Sequence, residues 1–348
     1  MMSIAILAPF TFPAVRGNAV TVQRITTGLR EREVDVAVWD LAETPEHAAA
    51  RAVERQRPRL IHAFHALRTG PLALRLARRL EVPLVVTLTG TDANEDLLDA
   101  ANAPRVRAVL EGAAVVTAFD RSIVEHVSGI LPDLRARMRV VPQAARFDGG
   151  EPFDLDAVWP LPSHRVLFAL PAGIRPVKAP RLVLPAFDRV VAAAPHVRLV
   201  YAGPVLDRAE GDALTAALRS RPWARHVGPV PHTQMASLLA QVDVVLNSSI
   251  SEGGMANSVL EAMAVGRAVL VSDIAGNRAL VDHETTGLRF RTTDELAASA
   301  LRLARDPALR GRLGARARER VARDFPPARE IDGYLDIYRR LVPALATA

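Results

Sequence analysis

Short apolar runs alternate with amphipathic stretches along almost the whole chain. Residues 4–8, 34–39, 60–64, 84–88, 114–118 and 139–141 form continuous apolar or near-apolar runs bounded by turn residues. Runs this short that are apolar on both faces predict buried strands. Between them, residues 21–32, 71–79 and 105–111 carry apolar positions at helical spacing. Strand–helix alternation predicts βαβ units with parallel strands. Residues 143–163 interrupt the pattern with Gly149, Gly150, Pro152, Pro160 and Pro162. The alternation then resumes at 166–170, 197–202, 227–230, 242–246, 268–271 and 288–290. The pattern predicts an α/β protein with two Rossmann-like, doubly wound parallel-sheet domains facing a cleft. The expected bounds are 1–148 and 164–328, with a linker over 149–163. The tail, 329–348, is expected to form an amphipathic helix packing back toward the first domain. In such sheets, ligands bind outside the carboxyl ends of the strands.

Composition narrows the classes. The chain has 348 residues, a net charge of +6 and 49% hydrophobic residues, which excludes disorder. It has no cysteine, which excludes a disulfide scaffold and thiolate metal sites. No apolar run approaches the ~20 residues of a membrane helix. The opening residues lack a basic n-region and read as a first strand, so a cytoplasmic location is expected. The sequence pI is about 10.6, yet the arginines spread over helical segments such as 310–323, interleaved with acids. Aromatics are only 5% and no basic run carries them, so nucleic acid is not an expected partner. A cationic face meeting anionic lipid peripherally, or a phosphorylated substrate, stays open. Among 44 cationic residues there is a single lysine, Lys178. A compact ammonium kept where arginine is otherwise universal suits a site built around one phosphate oxygen.

The strongest local signal is Asn247-Ser-Ser-Ile-Ser-Glu-Gly-Gly-Met-Ala-Asn-Ser-Val-Leu-Glu261, which follows a strand and opens a helix. Gly253 and Gly254 allow close backbone approach to a ligand, and Met255, Ala256 and Asn257 lead into a helix N-terminus suited to an anion. Glu252 could accept bonds from sugar hydroxyls, and Glu261 from vicinal ribose hydroxyls. A capping box Ser258-x-x-Glu261 is the structural alternative. The second signal is Ala172-Gly-Ile-Arg-Pro-Val-Lys178, where Gly173 permits a turn and Arg175 and Lys178 could neutralise a leaving diphosphate. In the first half, the turn Arg16-Gly17-Asn18 to Thr21, the string His62 to His65 and Arg68, and Thr91-Asp92 all end strands on one sheet edge. Asp154-Leu-Asp156 lies among prolines and glycines rather than at a strand end, so it is not read as a metal pair. Walker A, Gly-x-Gly-x-x-Gly, His-Glu-x-x-His and Gly-x-Ser-x-Gly strings are absent, and no metal or NAD site is expected.

These residues resemble the retaining glycosyltransferases of family 4, of GT-B fold, across nearly the whole chain. The likeness is closest to the group called glycosyltransferase 1 domain-containing protein 1, and selenosugar synthases look like relatives. It rests on Gly17-Asn-x-x-Thr21-x-x-Arg24, Gly90-Thr-Asp-x-Asn-Glu-Asp96, Gly173-Ile-Arg-Pro-Val-Lys178, Asn247-Ser-Ser-x-Ser-Glu-Gly253 and Ile274-x-Gly-Asn277. The resemblance implies that Arg175 and Lys178 hold the donor diphosphate, Glu252 the donor sugar and Glu261 the ribose. Val230 would pass the nucleobase by its backbone, and Asn277 would face the sugar. Gly17, Gly173 and the stretch Gly253 to Asn257 complete the expected donor site. Asn18, Thr21, Arg68, Thr91 and Asp92 are the expected acceptor site. Two departures stand out: the glutamates are nine residues apart rather than eight, and Thr89 stands where many members have a histidine, a role assigned to His65. The implied activity moves a sugar from a nucleotide-diphosphate sugar, UDP-linked, to a small or anionic acceptor with retention. A selenosugar or thiosugar synthase and a non-catalytic nucleotide-sugar binder are the alternatives. The sequence leaves the oligomeric state open.

Overall fold

The computed structural model describes residues 3–14, 17–147 and 149–342. Its contacts divide the chain into two compact units, Met1–Ala144 with Pro326–Ala348, and Ala145–Phe325. Each is built on a six-stranded parallel sheet.

In the first unit the strands are β1 (Ser3–Ala8), β2 (Asp35–Asp40), β3 (Leu60–Phe64), β4 (Leu84–Thr87), β5 (Val115–Ala118) and β6 (Met138–Val140). They lie in the order β2-β1-β3-β4-β5-β6. β3 and β4 are buried at every position, as runs of Leu, Ile, Val and Phe require when helices cover both faces. The order reverses between β1 and β3, so the loops after these strands flank the switch point.

The helix Pro327–Leu341 belongs to this unit although it ends the described chain. Its Ile331, Tyr334, Leu335 and Tyr338 are buried with Ile25, Leu29 and Val36. A Cβ on Gly28 would stand 2.5 Å from Ile331, so glycine lets the two helices meet. Polar groups reinforce the seam. The Arg24 guanidinium, on the helix Gly17–Arg30, donates to both oxygens of Glu330 at 2.6 and 2.8 Å, with both side chains almost fully buried. His62 spans Tyr338 Oη at 2.7 Å and Thr87 Oγ1 at 2.7 Å, and Thr87 continues to Thr117 at 2.6 Å.

Burial pushes the His62 imidazole down from 6.5 to about 3, so it stays neutral in the fold. The unfolded chain binds a proton below 6.5 that the folded chain refuses until about 3. Stability is therefore full above pH 6.5 and erodes as pH falls through that window. Denaturant titrations of wild type and His62→Gln from pH 7 to 4 should give a steeper acid loss for the wild type; parallel curves would refute the neutral imidazole.

The second unit carries β7 (Val166–Pro171), β8 (Val197–Ala202), β9 (Ala224–His226), β10 (Val244–Asn247), β11 (Ala268–Ser272) and β12 (Leu288–Phe290). Their order is β12-β11-β10-β7-β8-β9, with the reversal between β7 and β10. Two expectations change here. The strand placed at 227–230 sits at Ala224–His226 instead, because Gly228, with φ +82°, and Pro231 end the extended run. Residues 227–230 become the loop beyond its carboxyl end. The segment 149–163, expected as a linker, is instead fastened along the helix His232–Ala240 of the second unit. Glu151 N–H bonds Thr233 O at 3.2 Å, Phe153 N–H bonds Ser237 Oγ at 3.0 Å, and Leu155 N–H bonds Gln241 Oε1 at 3.1 Å. The chain passes from one unit to the other at Ala144–Ala145, and back at Phe325–Pro326.

Candidate functional site

The loops at the carboxyl ends of β7, β10 and β11 hold the residues singled out in the second half. After β7 the chain makes a turn clamped by the loop after β8. Ile174 N–H bonds Pro204 O at 2.8 Å, and Leu206 N–H returns to Ile174 O at 2.9 Å. A Cβ on Gly203 would lie 2.2 Å from the Ala172 carbonyl oxygen, so that approach requires glycine. The clamp sets the short turn Pro176–Lys178 at the sheet edge. Arg175, extended at its start, keeps its Nε buried with no hydrogen-bond partner among the described residues. A buried guanidinium donor left unsatisfied is costly and points to a missing acceptor.

Lys178 reaches across the switch point. Its Nζ donates to Glu252 Oε1 at 2.5 Å, and Ser249 Oγ and Asn247 Nδ2 donate to the same oxygen at 2.7 and 3.2 Å. Burial alone would push the Glu252 carboxyl up. The Lys178 charge and these three bonds outweigh it and hold the group below the usual carboxylate range. Glu252 is thus an anion at neutral pH. Backbone ties fix the pairing: Ile250 N–H bonds Val177 O at 2.9 Å, and Ser248 Oγ bonds Lys178 O at 2.8 Å.

Beyond Glu252, Gly253 and Gly254 carry the loop into the helix Asn257–Ala264. Gly254 adopts φ +117°, and its carbonyl oxygen lies 2.0 Å from where a Cβ on Gly276 would be. Only glycine fits at 276, against the loop that carries Glu252. Ala256 caps the helix with a methyl side chain that can accept no bond from its first N–H groups, and Met255 and Ala256 are buried. The capping box does not form: Ser258 lies inside the helix, and Glu261 Oε1 instead takes a bond from His232 Nε2 at 2.9 Å. Val230 is buried on the loop two residues earlier.

Asn277 differs from expectation. It is fully buried, and its Nδ2 donates to Asn247 Oδ1 at 3.2 Å and Ser272 O at 2.9 Å. It braces the Asn247–Glu252 loop from behind.

The first unit presents a second polar cluster at the carboxyl edge of its sheet. Asp92 was expected to face an acceptor. It is fully buried, and its carboxylate takes the N–H groups of Ala66, Thr89 and Gly90 at 2.8, 3.0 and 2.8 Å. It shapes two loops and opens the π-helical turn Asp92–Asp96. His65 was expected to catalyse. Its Nδ1 receives the N–H groups of Leu67 and Arg68 at 3.3 Å each, so the proton sits on Nε2, 2.9 Å from Thr91 Oγ1. Both ring nitrogens are occupied within the loop, which explains its left-handed φ of +81°. Thr21 is buried and accepts from Gln143 Nε2 at 2.9 Å, a brace rather than a ligand group. Asn18 bonds Thr89 at 3.3 Å at the rim, and Gly17 opens its helix exposed to solvent. Arg68 is exposed and lies 5.5 Å from the centre of the Phe10 ring. Arg16 falls outside the described residues.

The second-unit edge therefore offers two cations, a helix N-terminus and two carboxylates, an arrangement suited to a phosphorylated, hydroxyl-rich ligand. Comparison with known proteins decides the kind. Residues 164–306 match the family described as glycosyl transferases group 1, and residues 7–144 match the glycosyl transferase 4-like domain. The chain belongs to the GT-B glycosyltransferases. This glycosyltransferase is 29% identical over 259 residues to glycosyltransferase 1 domain-containing protein 1 of Xenopus tropicalis, covering 73% of this chain and 75% of that one. It is also 29% identical to a D-inositol 3-phosphate glycosyltransferase of Saccharomonospora viridis, over 82% of this chain and 70% of that one. Its fold matches HepE of Anabaena solved with UDP-glucose, with TM-score 0.78 at 15% identity over 98% of this chain and all of that one. Sucrose-phosphate synthase of Thermosynechococcus elongatus matches with TM-score 0.80 at 19% identity, over 99% and 100% of the two chains. Among the described residues of this glycosyltransferase, no helix is long and apolar enough to cross a membrane.

Proposed function

We propose that the chain is a retaining family 4 glycosyltransferase that takes a sugar from a UDP-sugar and passes it to a small or anionic acceptor. The reading places it in the cytoplasm, working without a metal or other cofactor. The observation that carries it is the Arg175 Nε, buried and without a partner among the described residues, on the same turn as Lys178 at the switch point of the second sheet. The UDP and UDP-glucose held by HepE, which shares the fold, support the choice of donor.

In this reading the diphosphate lies against Arg175, Lys178 and the N–H groups opening the helix Asn257–Ala264. The bond from sugar carbon 1 to the phosphate oxygen breaks, and negative charge grows on the diphosphate. Guanidinium, ammonium and helix amides held against it would gain most in the transition state. Lys178 carries three N–H bonds. One stays on Glu252 Oε1, which keeps the ammonium aligned, and the others serve phosphate. In this reading Glu252 takes a sugar hydroxyl and Glu261 the ribose. The acceptor enters on the face that diphosphate leaves, and its proton passes to the departing phosphate oxygen. In the first unit, Arg68, Asn18 and Thr91 would receive the acceptor; the exposed guanidinium on Phe10 favours an anion.

The test is a thermal-shift panel of UDP-, GDP- and ADP-sugars, followed by mass spectrometry of the product with candidate acceptors and NMR of its anomeric carbon. UDP-sugars should raise Tm, and the product should keep the donor's configuration. A panel without any stabilising ligand, or an inverted product, would overturn the proposal.

A further inference from the structure

His232 is a polar side chain at this edge that the reading above does not employ, and it is bonded to a residue that reading needs. Glu261 lies on the first turns of the helix Asn257–Ala264 with its side chain mostly buried. Its Oε1 takes the His232 Nε2–H at 2.9 Å, and among the described residues no donor reaches Oε2. The imidazole is itself fixed from two directions. Pro231 caps the helix His232–Ala240, so His232 is its first residue. Phe147 stacks on the ring, with centroids 6.0 Å apart and planes 12° from parallel. Phe147 is held there because the following segment is stitched to the same helix, through Glu151 N–H to Thr233 O and Thr233 Oγ1 to Glu151 Oε2.

We propose that His232 is a positioning residue for nucleotide recognition: it pins one oxygen of Glu261 and thereby aims the carboxylate at the two vicinal hydroxyls of the donor ribose. This rests on the reading of Glu261 as the ribose ligand. A glutamate has three side-chain torsions, and a carboxylate pair of bonds to a vicinal diol tolerates little error in them. With Oε1 held, Oε2 and the second lone pair of Oε1 present a fixed fork of acceptors. The phenyl stack keeps the imidazole edge-on to the carboxylate, so the anchor has little freedom of its own.

The experiment is a ligand cycle. Affinities for UDP and 2′,3′-dideoxy-UDP are measured by calorimetry on wild type, His232→Ala, His232→Gln and His232→Phe. A hydrogen bond to a charged group is worth roughly tenfold or more in affinity, so His232→Ala should weaken UDP by about that factor. It should leave 2′,3′-dideoxy-UDP unchanged, because that ligand has no diol to read. His232→Gln, which can donate to Oε1, should recover much of the loss. His232→Phe keeps the stack without the donor and should behave like alanine. Equal weakening of both ligands, or an unaltered UDP affinity in His232→Ala, would overturn the inference alone. A wild type that binds neither UDP, GDP nor ADP would overturn the proposed function and this inference with it.

Discussion

Lys178→Ala is expected to lower the rate of sugar transfer by about 10²–10³-fold, the usual effect of removing one preorganised donor from developing oxyanion charge. The residue stands at the end of a turn clamped by neighbouring loops, 2.5 Å from Glu252 Oε1. Two losses combine in the variant. The diphosphate loses a cation, and Glu252 loses the charge that offsets its burial, so its carboxyl rises toward protonation. Lys178→Arg should rescue little. The guanidinium is a planar fork and cannot set one short bond on Oε1 while turning its remaining donors elsewhere. Steady-state turnover with the donor found in the thermal-shift panel checks both variants. Wild-type turnover in Lys178→Ala would remove the central cation from the mechanism.

The second large effect is on stability. Glu330→Ala strips the buried Arg24 guanidinium of the carboxylate that takes two of its N–H groups. Breaking one side of a buried ion pair costs about 3–5 kcal/mol, which for a unit of this size lowers Tm by roughly 10 °C. Replacing both partners with apolar residues, Arg24→Met with Glu330→Leu, should recover most of that loss, because the desolvation cost disappears with the charges. Thermal unfolding followed by calorimetry reads all three proteins. A single variant as stable as the wild type would mean the pair is not desolvated as the structure describes.

How much of this was legible in the sequence follows from what each signal depends on. Strands such as Leu60–Phe64 and Val197–Ala202 are runs whose residues have no other favourable place than a sheet covered on both faces, and they lie where the pattern puts them. β9 lies three residues before the place the pattern predicts, because Val227 and Val230 are as apolar as a strand and only the conformation of Gly228 and Pro231 moves them beyond its end. The glycine-rich turn and its two cations were visible since their meaning is local. The Lys178–Glu252 bond joins residues 74 apart, and the His232–Glu261 bond joins residues 29 apart. Such partners meet only after strand order is known. Asp92, His65 and Asn277 show the reverse limit. They look reactive as letters, but each meets neighbouring loop groups, mostly backbone, that sequence does not display. The helix start after Pro231 was the available hint for His232.

The return of the chain to the first unit at Pro326 shapes how that unit is born. Its closing helix leaves the ribosome only after all of Ala145–Phe325 has been synthesised. Until then Arg24 has no Glu330, His62 has no Tyr338, and the groove that receives Ile331 lies open to water. The first unit is thus encoded in two separated stretches, and a nascent chain stalled before the second would present that uncovered groove to chaperones and proteases.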